Sequence, residues 1–186
     1  NVKDGSSKKY FADVVMVCIG RSAVTNNLGL DKIGVNVTKR GFVDVNKNFQ
    51  TSKFGVYAIG DVIGGMMLAH KAEDEGVCVA ELIAGRKSHV NYEAIASVVY
   101  TDPEVASIGI TEEEAKNKNI SYKVGKFPFS ANSRARANGA SDGFVKIIAD
   151  KNTDKLLGGH IIGPAAGDLI MELAVGMEFS TSSEDI

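Results

Sequence analysis

Three features of the sequence carry residues whose types and order could do chemistry. The first is Gly60-Asp61, which closes the apolar run Val56-Tyr57-Ala58-Ile59. A glycine at a strand end lets a ligand approach the backbone closely, and a following carboxylate accepts hydrogen bonds from sugar-like hydroxyls. The plain alternative is a strand that ends in a Gly-Asp turn. The second is Met67-Leu68-Ala69-His70, which opens a helical pattern. Its free N–H groups and positive dipole end would stabilise negative charge on a bound ring or phosphate. The alternative there is an amphipathic helix whose Glu73, Asp74 and Glu75 complement the dipole. The third is the pair Cys18 and Cys78, 60 positions apart and both in apolar stretches, read as buried thiols and not as a disulfide.

Other motifs point to structure. His70 has no second His, Cys or carboxylate near it at metal-ligand spacing, so no metal site is expected. Gly159, Gly163 and Gly167 recur every four residues but straddle a strand end and a helix start, which suits close packing. Asn132-Ser133-Arg134-Ala135-Arg136 reads as a solvated basic loop. No G-x-G-x-x-G fingerprint occurs.

These residues need elements to position them. Residues 12–19 are almost continuously apolar and β-branched and end at Gly20-Arg21, the pattern of a strand buried in a parallel sheet. Residues 1–10 read as a turn or frayed edge. Residues 42–45 and 56–59 are two further short strands. After Gly64-Gly65 a helix is expected over residues 67–84, with Leu68, Ala72, Gly76, Val79, Ala80 and Ile83 on one face and Gly85 at C′.

A polar stretch at residues 86–91 marks a domain boundary, dividing the chain into residues 1–90 and 91–186. Beyond it, strands are expected at 97–101, 105–110, 122–129, 143–149 and 156–162, with a loop at 150–155 joining the last two. Thr111-Glu112-Glu113-Glu114 is a capping box, and 165–179 a mostly apolar helix. Strands joined by hairpins with helices alongside indicate an antiparallel α+β domain. Ser180-Thr181-Ser182-Ser183 before Glu184-Asp185 is the opening of another helix. A buried parallel strand without neighbours and a helix only begun read together as a piece of something larger.

Composition excludes several classes. Twenty-one basic against 23 acidic residues give a net charge of −2, which lacks the positive field of a nucleic-acid binder. No apolar run reaches the roughly 20 residues that span a bilayer. With two cysteines in 186 residues, a reducing compartment fits better than secretion.

Taken in order, the motifs resemble the flavin disulfide reductases. The match runs through Val17-Cys18-Ile19-Gly20-Arg21, Val56-Tyr57-Ala58-Ile59-Gly60-Asp61-Val62 and Met67-Leu68-Ala69-His70-Lys71-Ala72-Glu73-Asp74-Glu75-Gly76. It continues through Val99-Tyr100-Thr101-Asp102-Pro103-Glu104-Val105-Ala106, residues 126–135, and Gly143-Phe144-Val145-Lys146, where it is similar to the lipoamide-oxidising branch. Two positions depart from the usual pattern: Ser22-Ala23 stand where an arginine and a proline are usual, and Met66 where proline is common.

The resemblance implies an α/β and α+β architecture: a remnant of an FAD/NAD(P)-binding Rossmann-like domain, then an antiparallel-sheet dimerisation (interface) domain. It implies FAD and NAD as cofactors. Asp61 would bond the FAD ribityl chain, Met67, Leu68, Ala69 and His70 would lie beneath the flavin, and Gly20 against NAD. It implies no catalytic residue in this chain, because the family's redox cysteine pair belongs upstream of Asn1 and its His-Glu pair past Ile186. The activity expected is oxidation of dihydrolipoamide with NAD by a homodimer in the mitochondrial matrix or cytoplasm. Lipoyl domains and subunit-binding domains of 2-oxo acid dehydrogenase complexes would be its partners. A non-catalytic dimerisation and docking module, or another flavin disulfide reductase such as a mercuric or glutathione-type enzyme, are the alternatives.

Overall fold

The computed structural model describes residues 5–186. The first four residues of the expected N-terminal turn lie outside the described residues. Five strands form one antiparallel sheet in the order β1-β2-β5-β4-β3: β1 Ser97–Val99, β2 Glu104–Gly109, β3 Tyr122–Pro128, β4 Phe144–Asp150 and β5 Leu156–Gly163. Among the described residues four α-helices accompany them: α1 Ala69–Ile83, α2 Glu112–Asn117, α3 Ser133–Ala137 and α4 Ala166–Glu178.

The sheet's register explains its two faces. Val145 pairs with Ile161 and Ile161 with Ala106, so these side chains point to one side. There α4 lays down Ala166, Ile170, Leu173, Ala174 and Met177, a stripe at helical spacing, against Ala106, Ile108, Leu156 and Ile161. The next residues along the strands, Lys146, His160 and Ser107, are paired with one another and face the opposite side. On that side α2 contributes Glu112, whose carboxylate accepts from Lys146 Nζ at 3.1 Å and Tyr122 OH at 3.4 Å. Burial and the Lys146 charge hold the His160 imidazole below its ordinary pKa.

Close approach explains the small residues. A Cβ on Gly159 would collide with Leu173, and one on Gly163 with Phe129. On Gly167 it would press on Val98 at 3.2 Å. Capping follows the sequence: Thr111 Oγ1 accepts from Glu114 N, and Glu114 returns a bond to the Thr111 amide. The last turn, Ser183–Asp185, is capped by Ser182 and stitched to the β4–β5 loop through Asp154. Lys123 Nζ sits 2.7 Å from the same Asp154 carboxylate.

Four expectations need correction. Residues 12–19 form no strand: Val14, Val15, Met16, Val17 and Ile19 are exposed, at 74–93 %. A parallel strand takes its backbone bonds from neighbours, and none pairs with this segment among the described residues. Cys18 on it is therefore exposed, whereas Cys78 in α1 is buried. Residues 42–45 and 56–59 make only single bridges, Val37 to Val43, Val45 to Thr51 and Gln50 to Tyr57. The basic segment expected as a loop is α3, started by Asn132 Oδ1 accepting from Ala135 N.

Two outcomes test this packing. Gly159→Ala should cost about 1–3 kcal/mol, since Leu173 must shift, while Gly125→Ala, which meets nothing within 4 Å, should stay within about 0.5 kcal/mol in thermal melts. The second concerns acid. Lys123, then Ser183, hold the Asp154 carboxyl below its ordinary range. Its contribution is present above the unfolded value near 4 and disappears as pH falls through the lower folded value. The melting temperature of Asp154→Asn should therefore fall less steeply than wild type below about pH 4.

Candidate functional site

The candidate residues gather where the segment before α1 turns back onto it. Gly60–Ile63 is a single 3₁₀ turn, and it carries Asp61. Gly60 is buried with φ +74, a conformation that only glycine adopts without strain, and a Cβ there would sit 3.1 Å from the Ala72 Cβ. Gly64 closes the turn at φ +84 with Phe42 packed over it. Val43 N donates to Val62 O, so the extended segment around Phe42 braces the turn from outside.

The turn is held to α1 by an ion pair that sequence reasoning missed. Lys71 and Glu75, one helical turn apart, have side chains only 3 % and 0 % exposed, with Nζ 3.0 Å from Oε1. Glu75 Oε2 accepts the Gly60 amide at 2.6 Å, and Lys71 Nζ donates to the carbonyls of Gly64 at 3.2 Å and Gly60 at 3.4 Å. Tyr92 OH donates to Glu75 Oε1 at 2.8 Å, and burial followed by that contact raises the phenol's pKa, which keeps it a donor. The alternative reading, in which Glu75 complements the helix dipole, does not hold for this residue, because its carboxylate is consumed inside. The expected apolar stripe is corrected too: Lys71, Glu75 and Cys78 form the buried face of α1, while Ile83 is exposed. The spacing of Lys71 and Glu75 was a legible pairing signal; their burial was not.

Asp61 faces outward, with its side chain 39 % exposed, and Arg21 donates to its Oδ2. An exposed pair of this kind is worth at most about 1 kcal/mol, and a carboxylate keeps acceptor capacity beyond one guanidinium. Gly20, on the exposed segment beside Arg21, has φ +107 and no atom near its missing Cβ. The start of α1 is uncapped: Leu68 stands at the N-cap and no side chain bonds the first amides. Met67 and Leu68 are half-buried, Ala69 and His70 exposed. His70 Nε2 lies 2.7 Å from Ala96 O, which only accepts, so the ring donates and ties α1 to the strap before β1.

The structure thus joins Gly60, Asp61 and Arg21 to the first two turns of α1. A cleft of about 430 Å³ between α1 and α4, lined by Cys78, His89, Asn91, Glu178 and Phe179 among others, does not include Asp61 or residues 67–70. No cluster of three potential metal ligands stands among the described residues.

The buried pair has a measurable consequence. Glu75→Gln or Lys71→Met alone leaves one charge buried without its counter-ion and should cost about 3–5 kcal/mol in denaturant titrations. Lys71→Met/Glu75→Gln together remove both charges and should recover most of that loss.

Residues 95–186 match the family model of the pyridine nucleotide-disulphide oxidoreductase dimerisation domain, and residues 1–76 match the pyridine nucleotide-disulphide oxidoreductase model. The chain is 54 % identical over 183 residues to a dihydrolipoyl dehydrogenase of Trypanosoma brucei brucei, covering 98 % of this chain and 38 % of that protein. It is 57 % identical over 175 residues to the mitochondrial dihydrolipoyl dehydrogenase of Pisum sativum, covering 94 % of this chain and 35 % of that protein. The chain therefore spans little more than a third of the length of these curated relatives. Among solved structures it is similar to LpdA from Mycobacterium tuberculosis, with TM-score 0.81 and 27 % identity over 87 % of this chain and 35 % of that one. The HOCl-induced flavoprotein disulfide reductase RclA from Escherichia coli aligns with TM-score 0.80 and 25 % identity, over 88 % of this chain and 38 % of that one. With both models of one family matched in chain order, the chain belongs to the pyridine nucleotide-disulphide oxidoreductases.

Proposed function

We propose that this chain is part of an FAD-dependent, NAD-linked dihydrolipoyl dehydrogenase that oxidises dihydrolipoamide to lipoamide. The observation that carries the reading is identity of 51–57 % with dihydrolipoyl dehydrogenases over 94–98 % of the chain. Residue chemistry supports it. Asp61 is an acceptor with a 39 % exposed side chain on a turn whose two ends are bonded to Glu75 and Lys71, which suits a polyhydroxyl chain. The uncapped amides at the start of α1, with Met67, Leu68, Ala69 and His70, suit a ring that gains negative charge. The donors and acceptors present therefore fit FAD. FAD, when bound, supplies two-electron acceptance and hydride transfer to NAD. Gly20, with open space beside its backbone, is the position assigned to NAD.

The domain division proposed falls between residues 90 and 91, in the interval between the two family matches. Residues 91–186 would serve as the dimerisation domain of a homodimer, and lipoyl and subunit-binding domains of 2-oxo acid dehydrogenase complexes would be its partners. Relatives in pig and pea are named mitochondrial, which supports the matrix as location. No helix among the described residues is long and apolar enough to cross a membrane.

A second reading has its own support. The sheet, α4 and their shared buried core lie wholly within residues 96–178, so this part could act as a dimerisation and docking module. A flavin absorbance scan with a size measurement decides between them: a yellow, FAD-loaded sample supports the enzyme site, and a colourless dimer the module. Asp61→Ala should then release flavin from the loaded protein. A dithiol relay needs two neighbouring thiols, whereas Cys18 is exposed and Cys78 lies inside α1. The 186-residue chain alone should therefore show no dihydrolipoamide-dependent NADH production, and steady turnover would refute that expectation.

A further inference from the structure

The Lys71–Glu75 pair does more bonding than filling its volume requires. An ion pair taken out of water is generally no better for stability than apolar residues of similar size. Its distinguishing property is direction. Glu75 takes the amide of Gly60, the residue before Asp61, and Lys71 takes the carbonyls at both ends of the turn, Gly60 and Gly64. Each bond therefore ends on backbone that flanks Asp61. All of them start from the first two turns of the helix whose N-terminal amides form the other half of the candidate cofactor site.

We propose that Lys71 and Glu75 are positioning residues for flavin binding: their buried bonds fix the Asp61 turn in one placement relative to the start of α1. Tyr92 extends the arrangement. Its hydroxyl bonds Glu75, and His70 bonds the Ala96 carbonyl, so the strap leading into β1 is referenced to the same helix as the Asp61 turn. The placement of the carboxylate is thereby coupled to the sheet domain. This deepens the FAD reading and rests on it. Neither side chain touches the cofactor in this account. Both act through the backbone of residues 60–64, where displacement of about 1 Å is enough to matter for a bound group.

The test uses Lys71→Met/Glu75→Gln in the holoprotein, because that variant leaves no unpaired buried charge and should keep a melting temperature close to wild type. Its amides at residues 60–65 should exchange about tenfold faster or more, since the carbonyl ties from Lys71 are gone. FAD binding to the apoprotein, followed by flavin fluorescence, should weaken about tenfold or more, and the visible flavin band and midpoint potential should shift. A merely stabilising pair would leave spectrum and potential unchanged in a well-folded variant. Unchanged exchange, or faster exchange with unaltered FAD affinity and spectrum, overturns the positioning role. Wild-type protein that takes up no FAD overturns the flavin reading beneath it, and the exchange measurement still reports separately whether the two side chains hold the turn.

Discussion

A lysine and a glutamate with almost no solvent contact hold together the part of this molecule that carries the candidate site. Separately, each would be a buried charge of several kcal/mol. Together they leave few polar atoms idle: the carboxylate accepts from the ammonium, the Gly60 amide and the Tyr92 hydroxyl, and the ammonium also meets two carbonyls. Such a network tolerates little movement, because the low local dielectric penalises any broken member. The 3₁₀ turn, the start of α1 and the strap at residues 92–96 are held in one arrangement by it. Asp61 faces outward beside Gly60, whose amide and carbonyl are both bonded inside.

The two halves of the chain show how strand pairing depends on what lies nearby in sequence. β4 and β5 are joined by a short loop, β5 pairs with β2, and α4 lays its apolar stripe over them, so this sheet completes its bonds and core within residues 96–178. Residues 12–19 carry a stronger apolar run than any of the sheet strands, yet remain exposed and pair with no strand among the described residues. Hydrophobicity alone does not make a strand; it needs a neighbour to supply backbone bonds, as even the edge strands β1 and β3 have on one side. Arg21 on Asp61 is the contact that anchors this segment's end to the turn.

Charge serves different ends across the molecule. At the surface, Asp154 gathers Lys123, Ser183 and the Glu184 amide, which pins the last turn to the β4–β5 loop, and Glu112 joins α2 to the sheet through Lys146. These bonds are solvent-screened and locally useful. The Lys71–Glu75 bonds are not screened, and they end on the backbone next to the Asp61 carboxylate.

Local rules in the sequence determined the five strands of the sheet, the Thr111 cap, the helix before the last turn, and the Gly60-Asp61 and residue 67–70 pattern that resembles a flavin site. Each depends on residues a few positions apart, through alternation, capping or turn chemistry. The short helix at Ser133–Ala137 escaped because its basic side chains look like a solvated loop, though Asn132 is a good cap. Only the tertiary structure decided which face of α1 is buried, that Glu75 points inward instead of serving the dipole, and that Arg21 meets Asp61 across 40 positions. The physical reason is that burial of a charged side chain depends on partners brought together by the chain's path, Gly60, Gly64 and Tyr92 here, and no periodicity within α1 encodes them.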